Sequence, residues 1–331
     1  MLADGHDLVI FDLDGVIYLI DKPIDGAAEA VERLRASGTP VAYATNNASR
    51  RAADVADLLT GMGVPAAAGE VLTSAGASAA VLAERLPAGA PVLVVGAEAL
   101  RAEVRDAGLR VVDSAEDKPA AVVQGYGPDV GWRILAEAAL SVRAGATWVA
   151  TNTDRTLPSP RGPLPGNGSL VAVLRTALDR EPDLVVGKPE PALFTTAASL
   201  SKAEHPLAVG DRLDTDIQGA VGAGMPSLLV LTGVSGPAEL LAAPPERRPT
   251  YVAADLSALF RPAADSAVPV EGSELGGWQL DRDGDSATLS GSGYPVAAVR
   301  LLCGVAWDGV QLKTASPEAA SLLESWGGKT A

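Results

Sequence analysis

Two carboxylates, Asp12 and Asp14, stand one residue apart at the end of the apolar run Leu8-Val9-Ile10-Phe11. A run this short that stops in charge reads as a buried strand with its tip in solvent. At positions i and i+2 of a strand end the two side chains project to the same side, so both can face one reactive group. Gly15 follows and lets the backbone turn away. An Asp-Gly turn explains the pair equally well when it is taken alone, so the chemistry depends on the residues that accompany these acids.

Three more apolar runs end in polar residues. Pro40–Ala44 ends in Thr45-Asn46-Asn47, Leu184-Val185-Val186 runs into Gly187-Lys188-Pro189, and Pro206–Gly210 reaches Asp211-Arg212-Leu213-Asp214-Thr215-Asp216. Gathered at one edge of a sheet, these ends would collect Asp12, Asp14, Thr45, Asn46, Lys188, Asp211 and Asp216. Crowded carboxylates repel unless a cation intervenes, and hard oxygen ligands indicate Mg²⁺. A lysine would neutralise a transferring phosphoryl group, and a threonine hydroxyl with the following amide would add donors. A carboxylate beyond the metal's needs can attack phosphorus while a second moves the proton. Each residue alone has a plainer role: Lys188 as a solvated loop lysine, Thr45 or Asn47 as a helix cap, Asp211 or Asp216 as an acid favoured by a helix dipole. The four motifs in this order are what point to phosphoryl transfer.

The elements that must position them alternate strand and helix, which implies a parallel sheet with helices on its faces and ligands off the carboxyl strand ends. Asp25 is expected to cap a helix over 26–37 closed by Gly38, and Ser49 to open one running to Met62. A second alternating block, 74–180, has strands at 91–96, 120–125 and 147–151 and helices at 97–107 and 130–143, and is large enough to be an inserted domain. The Pro- and Gly-rich stretch 153–168 reads as a functional loop. A helix over 191–201 and a strand at 227–231 complete the first style of alternation. From about Pro262 the pattern changes to a hairpin turning at Asp283-Gly284 and then two helices.

Composition sets limits on partners. The 331 residues carry a net charge of −15, with 47% hydrophobic residues and a mean hydropathy of +0.19, so a sizeable core is expected. With no basic run, neither nucleic acid nor an anionic membrane is an expected partner. No basic and apolar leader pattern opens the chain, and no 18-residue apolar stretch occurs, so secretion and membrane spanning are not expected. The single cysteine, Cys303, excludes an intrachain disulfide and points to the cytoplasm; its apolar surroundings mark it as a small buried hydrophobe.

The four motifs resemble those of the haloacid dehalogenase-like hydrolase superfamily. The insertion between the second and third, with Thr151-Asn152-Thr153-Asp154 leading into Pro165-Gly166-Asn167-Gly168, is similar to the branch with a large α/β cap. That branch includes nucleotide phosphatases of the NagD kind, phosphoglycolate and glycerol 3-phosphate phosphatases, and pyridoxal phosphate phosphatase. The resemblance implies a Rossmann-like parallel α/β core (1–73 and 181–262), an inserted α/β cap domain (74–180), and, outside the family pattern, a small C-terminal α+β extension (265–331). It implies Asp12 as nucleophile and Asp14 as the acid that protonates the leaving alkoxide and then activates water. Mg²⁺ would be held by Asp12, the carbonyl of Asp14 and Asp211, with Asp216 as ligand or orienter. Thr45 and Asn46 would bind phosphoryl oxygens, and Lys188 would neutralise Asp12 and the phosphate. The acid at position 14 favours phosphatase over dehalogenase chemistry.

Specificity is expected from the cap, with Tyr126, Asp129, Asn152 and Asp154 as candidate substrate contacts. The cap loops lack an anion-binding arginine pair, which favours a small phosphorylated metabolite such as glycerol 3-phosphate or 2-phosphoglycolate. Nucleoside monophosphates or pyridoxal phosphate are the alternatives, and a phospho-aspartate signalling protein is the non-enzyme alternative, which Asp14 disfavours by promoting hydrolysis. The extension is expected to regulate the enzyme or to form a homodimer.

Overall fold

The computed structural model describes residues 1–20 and 22–327. The last four residues of the expected extension, 328–331, lie outside the described residues. The chain forms two compact units, one from Met1–Leu19, Pro23–Val41 and the chain from Ala203 onward, the other chiefly Ala42–Lys202.

The first unit is built on parallel strands in the order Tyr251–Ala253, Ser227–Val230, Pro206–Gly210, Leu8–Phe11. Leu8–Phe11 and Pro206–Gly210 are buried at every position, as strands covered on both faces must be, and this is why they read as unbroken apolar runs. Leu8 to Phe11 pair with Pro206 to Val209, and the Asp12 amide donates to the Val209 carbonyl at 2.8 Å. The register therefore delivers Asp12 and Asp211 to the same strand end. The helix Ala27–Ala36 buries Ala27, Ala30, Val31 and Leu34, one stripe at helical spacing. Gly38 closes it with φ +83°, as expected, whereas Asp25 does not cap it: Gly26 occupies the N-cap with φ +80° and no side chain serves there.

The C-terminal extension belongs to the same unit. Its four-stranded sheet contains the hairpin Trp278–Asp283 and Ser286–Gly291, extended by Gln311–Thr314 in parallel. Asp283 pairs with Ser286, so the turn residues are Gly284 and Asp285, one position later than the sequence pattern suggests. The helix Pro295–Trp307 is apolar on two faces because it packs on two surfaces. Val299 and Cys303 join Leu213, Ile217, Leu229 and Val252 of the core, while Ala298, Leu301, Leu302 and Val305 join Trp278, Leu280 and Leu289 of the extension. Burial pushes the Cys303 thiol up to about 12, so it stays protonated and inert.

In the second unit Tyr43 to Thr45 pair in parallel with Val71 to Thr73, and a five-stranded parallel sheet has the order Leu184–Val185, Thr147–Ala150, Ala121–Gln124, Pro91–Val95, Arg110–Val112. Alternate residues of its strands enter two cores. Val92, Val94, Ala121, Val123 and Val149 pack with Ala75, Ala79, Leu82, Leu100 and Val104 on one face. Leu93, Val95, Val122, Trp148 and Ala150 pack with Leu135, Ala138, Val142, Val171 and Leu174 on the other. The unit is thus a parallel sheet with helices packed on both faces. Two details differ from the sequence pattern. Leu184–Val185 pairs with Thr147–Ala150 instead of continuing the first style of alternation, because its two residues offer no patterned face by which a sheet could be chosen. Arg110–Val112 forms an unanticipated edge strand, three residues long and exposed at Arg110.

Candidate active site

In the first unit, Asp12, Asp211 and Asp216 are all buried, and each offers a carboxylate oxygen within 4.8 Å of the others. At that separation like charges repel by roughly 3 to 4 kcal/mol per pair with an effective dielectric constant of about 20. Three such pairs would offset most of a typical domain's stability of about 5–15 kcal/mol. A cation resolves the conflict, and three hard carboxylate oxygens suit Mg²⁺. The residues present thus fit the ion that the sequence implies. Asp14 lies outside this carboxylate trio, and its expected share in the metal site is through its backbone carbonyl.

The cluster is held by backbone. Asp211 is fully buried; its Oδ2 accepts from the Val234 amide at 2.7 Å and its carbonyl from the Ser235 amide at 3.0 Å. Gly15, with φ +87°, and Gly233 both press against the Asp211 carboxylate so closely that a Cβ at either would collide with it. Thr232 ties the loops together by donating from Oγ1 to the Gly15 carbonyl at 2.6 Å. Leu213–Ile217 is a π-helical turn, in which the Ile217 amide reaches back five residues to the Arg212 carbonyl. Such widened turns recur at functional sites. Here it brings the Asp216 carboxylate over the start of its own turn, where Oδ2 accepts from the amides of Asp211 and Arg212 at 3.2 and 3.1 Å.

The third acid of that segment has another role. Asp214 accepts a bidentate pair from Arg212, at 3.0 and 2.9 Å. Burial by itself would raise its pKa, but the Arg212 guanidinium outweighs that and holds the carboxyl below its ordinary value.

In the second unit, Thr45, Asn46, Lys188, Asn152 and Asp154 come together. Thr45 is buried, and its Oγ1 accepts from the Asn47 amide at 3.1 Å, which leaves the hydroxyl hydrogen to donate elsewhere. Asn47 Oδ1 accepts from the amide and hydroxyl of Ser49 at 2.8 and 2.7 Å, so the expected helix opener instead closes a turn, and the helix spans Ala52–Gly61. Asn46 Oδ1 accepts from the Lys188 amide at 2.8 Å, and its Nδ2 donates to the Lys188 carbonyl and to Asp154 Oδ2, both at 3.0 Å. Both hydrogens of that side-chain amide are therefore committed within the protein, where the sequence suggests phosphoryl binding. Lys188 is buried and donates from Nζ to the Ala44 carbonyl at 3.0 Å.

Asn152 and Asp154 belong to this cluster. Tyr126 and Asp129 lie in the turn after the strand Ala121–Gln124, where the Tyr126 carbonyl accepts from the Ala97 amide at 3.3 Å and Asp129 is exposed. The sequence reading missed the loop Thr232-Gly233-Val234-Ser235, which braces Asp211; a run of small residues just after a strand was its only signal. It also missed Ser74, whose Oγ donates to the Asn46 carbonyl at 2.6 Å, and it names Asn167 within a motif but gives it no role, whereas its Nδ2 donates to the Asn152 carbonyl.

Comparison with known proteins follows the same motifs. A haloacid dehalogenase-like hydrolase family model matches residues 9–110, and a second, HAD-hydrolase-like model matches 185–259. The D-glycerol 3-phosphate phosphatase of Mycobacterium tuberculosis is 48% identical over 292 residues, covering 88% of this chain and 80% of its own. A Staphylococcus aureus acid sugar phosphatase is 38% identical over 68% of this chain and 86% of its own. The crystal structure of a glycerol phosphate phosphatase from M. tuberculosis in complex with magnesium superposes with a TM-score of 0.90 at 44% identity, covering 98% of each chain. A 4-nitrophenylphosphatase from Thermotoga maritima gives a TM-score of 0.73 at 32% identity, covering 80% of this chain and 99% of its own. No helix among the described residues is long and apolar enough to cross a membrane.

Proposed function

We propose that this chain, which belongs to the haloacid dehalogenase-like hydrolases, is a Mg²⁺-dependent phosphatase that hydrolyses glycerol 3-phosphate through an aspartyl phosphate on Asp12. The observation that carries this is the trio of buried carboxylates, Asp12, Asp211 and Asp216, with Asp14 two residues beyond the first. Three acids suffice to hold a metal, and the fourth serves proton transfer. The similarity to the mycobacterial glycerol 3-phosphate phosphatase over 88% of the chain supports the substrate.

In this mechanism Asp12 attacks phosphorus as the bond to the glycerol oxygen breaks, and Asp14 gives its proton to the departing alkoxide. Asp14 then takes a proton from water, which attacks the aspartyl phosphate and returns Asp12 with release of inorganic phosphate. Thr45, through its hydroxyl, and Lys188, through its ammonium, hold the phosphoryl oxygens. Mg²⁺, bound by Asp12, the Asp14 carbonyl, Asp211 and Asp216, supplies the charge neutralisation that lets one anion attack another.

Residues 1–73 and 181–262 serve as catalytic core in this scheme and 74–180 as the cap that reads the leaving group. A cytoplasmic location is supported by the lone, buried Cys303. A homodimer is supported by Trp132 and Leu140, 83% and 53% exposed on one helix. The test is phosphate release, with and without Mg²⁺, from glycerol 3-phosphate, 2-phosphoglycolate, pyridoxal phosphate and nucleoside monophosphates. Metal-dependent preference for glycerol 3-phosphate is the expected result. Preference for a ring-bearing ester would move the substrate, and no release from any ester would overturn the activity.

A further inference from the structure

We infer that Asn152 and Asn167 are positioning residues: a buried relay of side-chain amides that fixes the Thr45–Asn47 segment and, through Asn46, the backbone of Lys188. This deepens the phosphatase mechanism proposed above and rests on the roles given there to Thr45 and Lys188. It also replaces the expectation that Asn152 touches substrate.

The relay runs through atoms that have little contact with water. Asn167, 2% exposed, begins the helix Asn167–Leu178, and its Nδ2 donates to the Asn152 carbonyl at 2.7 Å and to the Gln124 carbonyl at 3.2 Å. It thereby ties the last residue of the strand Ala121–Gln124 to the chain just past the neighbouring strand Thr147–Ala150. Asn152, 4% exposed, donates from Nδ2 to the Asn46 carbonyl at 2.6 Å, and its Oδ1 accepts from the Asp154 amide at 3.2 Å. The Asn46 carbonyl accepts from Ser74 Oγ as well, so both its lone pairs are engaged and the peptide after Asn46 is fixed. The Asn46 side chain then grips the Lys188 peptide on both its N–H and its C=O.

Because Asn152 donates from Nδ2 to the Asn46 carbonyl and to Thr151 Oγ1, the latter at 3.3 Å, spends its acceptor on the Asp154 amide, and is buried, it has no polar edge to offer a leaving group. What it determines is the position of the peptide between Asn46 and Asn47, whose N–H donates to Thr45 Oγ1 at 3.1 Å, and hence where the Thr45 hydroxyl stands. Small displacements of such groups are costly: a shift of about 1 Å can lower a rate about 100-fold. A side chain that reads the leaving group changes discrimination between substrates, whereas one that positions the phosphoryl-binding groups slows all substrates alike, because every ester presents the same phosphoryl group.

The experiment uses the full chain with Mg²⁺ and compares wild type with Asn152→Ala and Asn167→Ala. Two readouts are taken: kcat and KM for glycerol 3-phosphate and for 4-nitrophenyl phosphate, and amide hydrogen exchange of segments 45–49 and 186–190. Asn152→Ala is expected to lower kcat about 10- to 100-fold with both esters, to leave the ratio of their kcat/KM values within about twofold of wild type, and to speed exchange in both segments. Asn167→Ala, one step further out, should show the same pattern with a smaller loss and so serves if Asn152→Ala fails to fold. A changed ratio of the two esters with unaltered exchange would overturn the relay and return Asn152 to substrate reading. A wild-type enzyme that releases no phosphate would instead sink the phosphatase assignment, while unaltered exchange in both variants would still sink the relay.

Discussion

The two units solve opposite electrostatic problems. The first gathers acids: Asp12, Asp211 and Asp216 are buried within 4.8 Å of one another, braced by backbone amides and by glycines that leave room for them. The second gathers one buried cation and a set of neutral amides, with Lys188 beside Asn46, Asn152 and Asn167. Charge of one sign can be concentrated by rigid backbone only if a counter-ion arrives to balance it. A neutral amide network needs no counter-ion, because its side-chain amides close on neighbouring backbone N–H and C=O groups. The first cluster should therefore respond to metal and the second should not, and that contrast can be tested residue by residue.

The largest effect is expected at the nucleophile. Asp12→Asn keeps the shape and removes the attacking charge, so kcat for glycerol 3-phosphate should fall by at least about 10³-fold with the fold retained, as steady-state assay and circular dichroism would show. Metal removal comes next. A chelator should abolish turnover and added Mg²⁺ should restore it; Mg²⁺ at about 100 times its Kd should raise stability by about 2.7 kcal/mol. Thermal melts should show that Asp211→Asn loses this stabilisation and Asn46→Ala keeps it. Equal loss in both would break the contrast between the units.

Asn46→Ala strands the Lys188 amide in a buried site, at a cost of about 1–3 kcal/mol. Its melt should show that loss, and its kcat should fall with its Mg²⁺ response intact. The smallest effect is expected at Asp214. Its pKa is held down in the folded state, so the Arg212 pair stabilises the protein above the ordinary aspartate range near 3.9 and the benefit fades as pH falls through the folded value. Asp214→Asn should lower the melting temperature slightly at pH 7, and the two proteins should converge below about pH 4.

How much of this was legible in the sequence follows from the same contrast. The acid cluster depends on short segments, residues 12–15 and 211–216, at the tips of apolar strands, and both spacing and chemistry are visible there. The amide relay joins positions 46, 124, 152, 167 and 188, which only the folded chain brings together, and an isolated asparagine in a loop has no pattern to distinguish it from a turn residue. Asn46 shows the difference within one side chain. Its place in Thr45-Asn46-Asn47 points to phosphate, while the commitment of its side-chain amide to Lys188 and Asp154 has no signal in the sequence. Leu184–Val185 is legible as a strand but not as a partner of Thr147–Ala150, because two residues carry no face pattern. The loop that braces Asp211 works through the backbone amides of Val234 and Ser235, and any residue but proline supplies an amide.

The central claim, that phosphate passes through Asp12 and that Asp14 governs its release, is tested most directly with Asp14→Asn and 4-nitrophenyl phosphate in a stopped-flow experiment with Mg²⁺. The 4-nitrophenolate group leaves without a proton, so the first half-reaction needs no acid at position 14, while water attack still needs the base. The expected trace is a burst of one 4-nitrophenolate per active site, followed by turnover far slower than wild type. A trace without a burst that proceeds at the wild-type rate would contradict the account.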